Sequence, residues 1–273
     1  MENEQSSLDY AGITARQQAT WAMGDFNEIA RQVMPVSDAL VEAVDPRPGQ
    51  RVLDVACGSG NAAISAARRY CKVTGLDYVP SLIERAKQRA AAEGVPIDFR
   101  VGDAQSLPFE DGSFDVVLSA FGVMFAPDQA KAAREVLRVC RPGGKIGLAN
   151  WGPEDFGGTV FKAIAKYAPP PPGLTPSIRW GTSGGLEELL GPGTSSILSA
   201  HRTFFQHYES IEQMADVFFR YFGPANRAIG SVDALAQAAL RRDVADTFAS
   251  HNRATDGTAR IESRYFQVIA IRR

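Results

Sequence analysis

The sequence is poor in the residues that build metal centres and disulfide frameworks. It has only three cysteines and three histidines among 273 residues. The cysteines lie in or beside apolar segments and show no C-x-x-C spacing, which favours buried thiols in a reducing compartment over disulfides or zinc ligands. The histidines are far apart, so each is expected to be structural or solvent-facing, and no metal site is predicted. The six residues are Cys57, Cys71, Cys140, His201, His207 and His251.

Long apolar runs and an excess of basic charge are also missing. No stretch approaches the roughly 18 apolar residues of a transmembrane helix, and the first twenty residues lack the basic start and apolar middle of a secretory signal. The formal net charge is -2, and no basic run is present that would follow a phosphate backbone. We therefore expect a cytoplasmic protein, monomeric or homodimeric, with neither a membrane nor a nucleic acid as partner.

Between residues 50 and 150, apolar runs alternate with helical patterns. Short apolar runs are typical of buried parallel strands, and amphipathic or alanine-rich stretches separate them. The runs are Arg51–Val55, Lys72–Leu76, Ile97–Val101, Phe114–Ser119 and Lys145–Asn150, and the helical stretches are 61–70, 81–93 and 129–139. This alternation predicts a Rossmann-like, doubly wound α/β sheet with helices on both faces.

The alternation ends after residue 150. Two later runs, 197–208 and 264–271, are predicted to be strands, and a mostly helical excursion over about 209–250 separates them. We therefore predict a mostly parallel seven-stranded sheet with an antiparallel C-terminal edge strand and a helical lid. This divides the chain into a helical segment over the ligand-binding edge, 1–50, a ligand-binding core, 51–150, and the rest of the sheet with its lid, 151–273.

The stretch RVLDVACGSGNAA, residues 51–63, combines a buried strand, a glycine turn and the start of a helix. This is the usual construction of a nucleotide-binding crevice. From Gly58 onward the stretch matches G-x-G-x-x-A, and Asp77 follows at about the 20-residue spacing of a ribose-binding carboxylate. Taken alone, the pattern predicts a dinucleotide-dependent dehydrogenase.

Two further carboxylates contradict that interpretation. Asp54, at the end of the first strand, would repel a pyrophosphate but would attract an ammonium group. Asp103, at another strand end, can accept a hydrogen bond from an exocyclic amine such as adenine N6. The residues therefore favour S-adenosylmethionine over NAD as the cofactor, with a nicotinamide-dependent oxidoreductase as the less favoured alternative.

Four segments resemble, in order, the motifs of class I S-adenosylmethionine-dependent methyltransferases. The likeness is greatest to the branch of ubiquinone, menaquinone and natural-product methyltransferases. The segments are VLDVACGSG at 52–60, VTGLDYVPSLIERA at 73–86, GDAQSLPFEDGSFDVVLS at 102–119 and EVLRVCRPGGKI at 135–146. The resemblance covers residues 50–150 and departs from the branch at Ala56, where glycine is usual.

The resemblance implies a role for each motif residue and leaves the catalytic residues unassigned. The implied contacts are Asp54 near the ammonium group of the cofactor, Ala56, Gly58 and Gly60 along its methionine part, Asp77 on the ribose, Tyr78 and Val79 on the adenine faces, Asp103, Ala104 and Gln105 on the adenine edge, and Ser119, Ala120 and Phe121 at the point of methyl transfer.

The implied reaction is methyl transfer to an oxygen or carbon of a small, partly apolar acceptor. The Asn/Asp-Pro-Pro-Tyr segment that suggests amino-group methylation is absent after the fourth strand, where SAFGVMF stands at 119–125. The lid helix is aromatic, with Phe218, Phe219 and Tyr221 as candidate lining residues, and WAMGDF at 21–26 is either a staple for the lid or a wall of the site. The alternatives are a non-catalytic S-adenosylmethionine-binding protein and a transferase of the cofactor's aminopropyl group.

Overall fold

A computed structural model describes residues 8–273; the first seven residues of the predicted N-terminal helical segment lie outside the described part. The strands, in chain order, are β1 Arg51–Val55, β2 Lys72–Asp77, β3 Ile97–Val101, β4 Phe114–Ala120, β5 Cys140–Asn150, β6 Thr194–Tyr208 and β7 Ala259–Arg272. They form one sheet in the order β3-β2-β1-β4-β5-β7-β6.

Helices pack against this sheet and begin at identifiable caps. In chain order the α-helices of the described residues are α1 Tyr10–Trp21, α2 Asn27–Ala30, α3 Met34–Val44, α4 Asn61–Ala67, α5 Pro80–Ala92, α6 Gln129–Val139, α7 Phe156–Ala165, α8 Ser183–Leu190, α9 Ile211–Tyr221, α10 Gly223–Gly230 and α11 Ala234–His251. At α6 the Asp128 side chain accepts a hydrogen bond from the Lys131 N–H at 2.9 Å, and at α9 Ser210 accepts one from the Gln213 N–H at 3.1 Å. Both caps satisfy donors that the first helical turn leaves free. Within residues 8–273, a helix with the length and apolar composition of a bilayer crossing is absent.

The sheet confirms the predicted fold class. Strands β1 to β5 pair in parallel, whereas β7 runs antiparallel to both β5 and β6. The predicted antiparallel edge pair is therefore present, with the C-terminal strand inserted next to β5 and β6 outermost. Strand order reverses between β1 and β4, and open α/β sheets bind ligands at the carboxyl ends of strands on either side of such a reversal.

The elements differ from the prediction mainly at strand starts and in two helices. Strand β5 begins at Cys140 rather than Lys145, with a register shift against β4 between Phe114 and Val116, and β6 and β7 begin three and five residues earlier than predicted. Helix α7 is not predicted by the sequence pattern, and α10 is predicted only as part of the helical excursion over about 209–250. Both begin at glycine-containing segments, Phe156-Gly157-Gly158 and Gly223-Pro224, which are typical of turns when they are judged locally.

Candidate functional site

A cleft of about 1400 Å³, measured with its open mouth, lies at the carboxyl ends of β1, β2 and β4. The loop after β1 lines one end of it, and residues of α1, α7 and α9 line the other. That volume includes the solvent at the mouth. The two ends of the cleft differ in chemistry.

Nine of the thirteen residues that the sequence implied for cofactor binding line this cleft. They are Ala56, Gly58, Asp77, Tyr78, Asp103, Ala104, Gln105, Ala120 and Phe121. They come from four separate chain segments that the strand order brings to one edge of the sheet. We call the part of the cleft lined by Ala56 to Ser59, Asp77, Tyr78 and residues 102–105 the glycine-loop end.

The other four residues are not among those that line the cleft, and their contacts with the cofactor stay predictions. Asp54 is buried, and its carboxylate accepts a hydrogen bond from the Ala63 N–H at 2.8 Å in the first turn of α4. Such a position stabilises a helix start, because the N-terminal amides attract negative charge. Burial raises the pKa of Asp54 to about 7, with a smaller contribution from the charge on Asp77. Asp54 thus supports the loop after β1 by holding the first turn of α4.

Gly60, Val79 and Ser119 also have packing roles. A Cβ at Gly60 would lie 3.1 Å from the Phe99 ring, so this position permits a close approach between loop and sheet. Val79 is fully buried at the start of α5. The Ser119 hydroxyl donates to the Val55 carbonyl at 2.7 Å and accepts from the Val123 N–H at 2.9 Å, which fixes the chain after β4.

Asp77 is the buried carboxylate in the wall of the glycine-loop end. One of its oxygens accepts from the Gly58 N–H and the other from the Val79 N–H, both at 2.9 Å. Burial raises its pKa to about 6, although these backbone donors lower it. Each carboxylate oxygen retains a further lone pair, so the group can also accept from a ligand.

Asp103 and Gln105 form a polar network at the adjacent strand end. Asp103 accepts from the Gln105 backbone N–H at 2.9 Å, and the Gln105 amide group donates to Asp103 at 3.0 Å and to Thr14 of α1 at 3.0 Å. The Gln105 carbonyl oxygen accepts from the Asp128 N–H at 2.9 Å. Helix α1 is thereby fixed to the glycine-loop end, and Gln18 of the same helix also donates to the Tyr78 carbonyl.

Ala56 occupies a conformation that favours glycine. Its φ is 52°, and a residue with a Cβ in this left-handed region costs about 1–2 kcal/mol. This strain is a physical reason for the glycine that the resemblance implies at this position.

We expect Ala56→Gly to stabilise the protein by roughly 0.5–1 kcal/mol, because relief of this strain exceeds the added entropy of the unfolded chain. Ala91→Gly, in the exposed last turn of α5, is the matched control and should destabilise by about 0.5–1 kcal/mol. Denaturant unfolding of both variants measures the difference. A loss of stability in both would contradict a strained Ala56.

Aromatic rings line the opposite end of the cleft, which we call the aromatic end. Trp21 packs against three of these rings. Its ring centroid lies 5.5 Å from that of Phe26, 5.0 Å from that of Phe125 and 5.4 Å from that of Phe222. Phe218 stacks on Phe222 at 4.7 Å. Within WAMGDF, Trp21 and Phe26 line the cleft, and Trp21 also packs on Phe222 of the lid segment. Asp25 bonds Arg85 of α5 at 2.8 Å.

The lid candidates are only partly right, and some lining residues were missed. Phe218 lines the cleft, but Phe219 faces Arg241, whose guanidinium lies 5.1 Å from its ring centroid, and Tyr221 does not contribute. Met214 and Phe222 line it instead, since they share a helical face with Phe218. Sequence reasoning also missed contributions from α7 and β6, namely Phe156, Val160, Phe161, Gln206 and Tyr208. The apolar spacing in FGGTVFKAIA was the available signal for α7.

The histidines do not line the cleft as the structure describes it. His251 lies 3.2 Å from the Thr159 hydroxyl, and His201 lies 3.4 Å from the buried Asp155 carboxylate. Within residues 8–273, no three side chains of His, Cys, Asp or Glu converge as metal ligands. Both histidine contacts stabilise packing at a distance from the glycine-loop end.

Comparison with known proteins points to one family. Residues 53–148 match the family model described as a methyltransferase domain. An uncharacterized protein of Mycobacterium tuberculosis is 38% identical over 244 residues, which cover 88% of this chain and 89% of that protein. The demethylmenaquinone methyltransferase of Deinococcus radiodurans is 38% identical over 136 residues, 48% of this chain and 56% of the relative.

Solved structures share the fold. The YcgJ protein of Bacillus subtilis has a TM-score of 0.58 at 21% identity, covering 87% of this chain and 98% of that one. An N-methyltransferase of Haemonchus contortus, solved with phosphomonomethylethanolamine and S-adenosylhomocysteine, has a TM-score of 0.57 at 20% identity. The match covers 87% of this chain and 52% of that one. Together with the strand order and the four motifs in sequence, these likenesses show that the chain belongs to the class I S-adenosylmethionine-dependent methyltransferases.

Proposed function

We propose that this chain binds S-adenosylmethionine at the glycine-loop end and transfers its methyl group to an oxygen or carbon of a small, partly apolar acceptor at the aromatic end. The observation that carries the proposal is one cleft with two chemically different ends, which adjoin at Ala120 and Phe121. A carboxylate-lined end suits a polar, phosphate-free nucleoside, and an aromatic end suits an apolar acceptor.

The residues of the glycine-loop end fit this cofactor. Asp77 is placed to accept from the ribose hydroxyls, and Asp103 from the exocyclic amine of adenine. Ala56 to Gly58 form a small-residue wall that leaves room for the methionine part. Two carboxylates on one wall would repel the pyrophosphate of NAD, which disfavours the nicotinamide alternative.

Bound S-adenosylmethionine supplies an activated methyl group on a sulfonium. The chain's own contribution is to align the acceptor at about 3–3.5 Å and to exclude water. Trp21, Phe121 and Phe125 are placed to do this beside Ala120, and Phe121 is held by stacking on Trp151 with centroids 4.1 Å apart. We assign these residues positioning roles and assign no general base.

We further propose that two segments cover the reactants. Residues 8–50 place α1 across the glycine-loop end through Thr14 and Gln18, and residues 209–250 place α9 over the aromatic end. Together with the core 51–150 and the strands of 151–273, this is the domain division that the sequence suggested. A small-molecule acceptor is the partner that such a covered cleft favours over a macromolecule.

Calorimetric titration tests the cofactor, and labelled product tests the reaction. S-adenosylhomocysteine should bind in the micromolar range, roughly -8 kcal/mol, whereas NAD should give no heat. Incubation of the protein with methyl-labelled cofactor and a cell extract should yield a labelled small molecule by mass spectrometry. Binding without any labelled product would favour a non-catalytic protein, a product carrying the aminopropyl group would identify the other transferase, and heat from NAD alone would reverse the cofactor assignment.

A further inference from the structure

Two polar side chains interrupt the aromatic end of the cleft. Gln206 and Tyr208 both line it, from the last residues of β6. Because alternate residues of a strand share one face, the two side chains lie side by side. Their surroundings in the cleft include the apolar Phe156, Met214 and Phe218.

The Gln206 amide is held in one orientation. Its Nε2 donates to the Ser263 hydroxyl of β7 at 2.9 Å, and that hydroxyl in turn donates to the Ile261 carbonyl at 3.4 Å. The donor side of the amide therefore faces β7, which leaves Oε1 as the free acceptor. In the part of the chain that the structure describes, no protein group donates to Oε1, although Gln206 is only 4% exposed.

Charged side chains do not line this end of the cleft among the described residues; Arg31, whose charge reaches the Tyr208 phenol, pairs with Glu28 at 3.0 Å outside the lining. Among the described residues that line it, none is lysine, arginine or histidine, and the carboxylates Asp77 and Asp103 belong to the glycine-loop end. Burial raises the pKa of the Tyr208 phenol to about 12, so that side chain stays neutral and can donate a hydrogen bond. A charged acceptor would lose its hydration here without gaining an ion pair.

We propose that Gln206 Oε1 and the Tyr208 hydroxyl together hold a hydroxyl group of the acceptor, which is therefore an uncharged, largely apolar molecule carrying at least one hydroxyl. This inference rests on the proposed function, because it places the acceptor at the aromatic end. Gln206 accepts from the acceptor hydroxyl and Tyr208 donates to its oxygen. Both are positioning residues that select for the hydroxyl, since an acceptor that covers Oε1 without offering it a donor is penalised.

The test uses three probes of one shape on protein saturated with S-adenosylhomocysteine. We expect 2-naphthol to bind about three- to tenfold more tightly than naphthalene, as one net hydrogen bond allows, and charged 2-naphthoate to bind more weakly than 2-naphthol. Gln206→Leu should abolish the preference for 2-naphthol. Tyr208→Phe and Ser263→Ala, which remove the donor and the amide's anchor, should each reduce it, while S-adenosylhomocysteine affinity stays unchanged in all three variants.

The outcomes separate this inference from the proposed function on which it rests. Four outcomes with S-adenosylhomocysteine bound would each overturn the role of β6. They are equal affinity for naphthol and naphthalene, no binding of either, tighter binding of naphthoate than of naphthol, and a preference for naphthol that survives Gln206→Leu in a folded variant. Absence of S-adenosylhomocysteine binding overturns the proposed function, and this inference with it.

Discussion

Asp77→Asn is expected to weaken S-adenosylhomocysteine binding at least tenfold in a protein that still folds. Two ribose hydroxyls that donate to one carboxylate make two charge-assisted hydrogen bonds, each contributing about 1.5–3 kcal/mol. The amide replaces one acceptor oxygen by a donor, which then opposes a hydroxyl or one of the N–H groups of Gly58 and Val79. Calorimetry gives the affinity, and circular dichroism reports the fold.

Asp98→Asn is the matched control, since it makes the same chemical change at an exposed site on neighbouring β3. It should leave the affinity as it is. Wild-type affinity in a folded Asp77→Asn variant would place the ribose elsewhere.

The same carboxylate makes cofactor binding depend on pH. With its pKa raised to about 6, Asp77 is mostly protonated at pH 5 and mostly ionised at pH 7. If the ionised form binds the ribose, affinity should fall about tenfold from pH 7 to pH 5. Because the pKa of Asp77 is higher in the folded protein than in the unfolded chain, its ionisation destabilises the fold as the pH rises through 6. Acid therefore does not unfold the protein through this group, and the loss of affinity at pH 5 is a binding effect. Asp77→Asn should remove most of the dependence.

Gly58→Ala is expected to lower S-adenosylhomocysteine affinity at least tenfold through shape alone. Gly58 has a φ of 54°, and a Cβ there would contact only the Phe26 ring, at 3.7 Å. The methyl group therefore fits the unliganded protein and projects into the cleft, where it would occupy space that the methionine part needs. The left-handed backbone adds a stability cost of about 1–2 kcal/mol.

Gly94→Ala separates the two effects. Gly94 has a φ of 67° and open space for a Cβ, but it lies after α5, away from the cleft. Both variants should lose similar stability in denaturant unfolding, and only Gly58→Ala should lose affinity. Equal affinities in the two variants would mean that the ligand does not pass the loop after β1.

The core of the fold could be predicted because its strands are buried on both faces. Val52, Leu53 and Val55 are fully buried, so β1 appears in the sequence as a continuous apolar run bounded by polar and glycine residues. Helix α7 has only the apolar spacing of FGGTVFKAIA as a local signal, and its glycines favour a turn until the packing of the whole cleft is known. Local pattern therefore predicts the sheet well and the cover of the cleft poorly.

The site divides in the same way. Asp77 and Asp103 could be placed from motif order, since the carboxyl ends of parallel strands meet at one edge. The hydrogen bond between Asp54 and the Ala63 N–H could not be predicted, because nothing in the sequence distinguishes a carboxylate that only faces a ligand from one that also holds a helix start. Nothing in the sequence indicated that Gln206 and Tyr208 line the cleft, because their position depends on the register of the long β6–β7 pairing.

The two ends of the cleft come largely from different parts of the chain, with Phe125 as an exception. Residues of the glycine-loop end, such as Asp77 and Asp103, fall inside the matched family segment 53–148, whereas Trp21, Gln206 and Phe218 of the aromatic end fall outside it. On the proposed function, acceptor choice and cofactor binding are then set by separable stretches, so substitutions in the flanks can change the acceptor while the residues that hold the methyl donor stay the same.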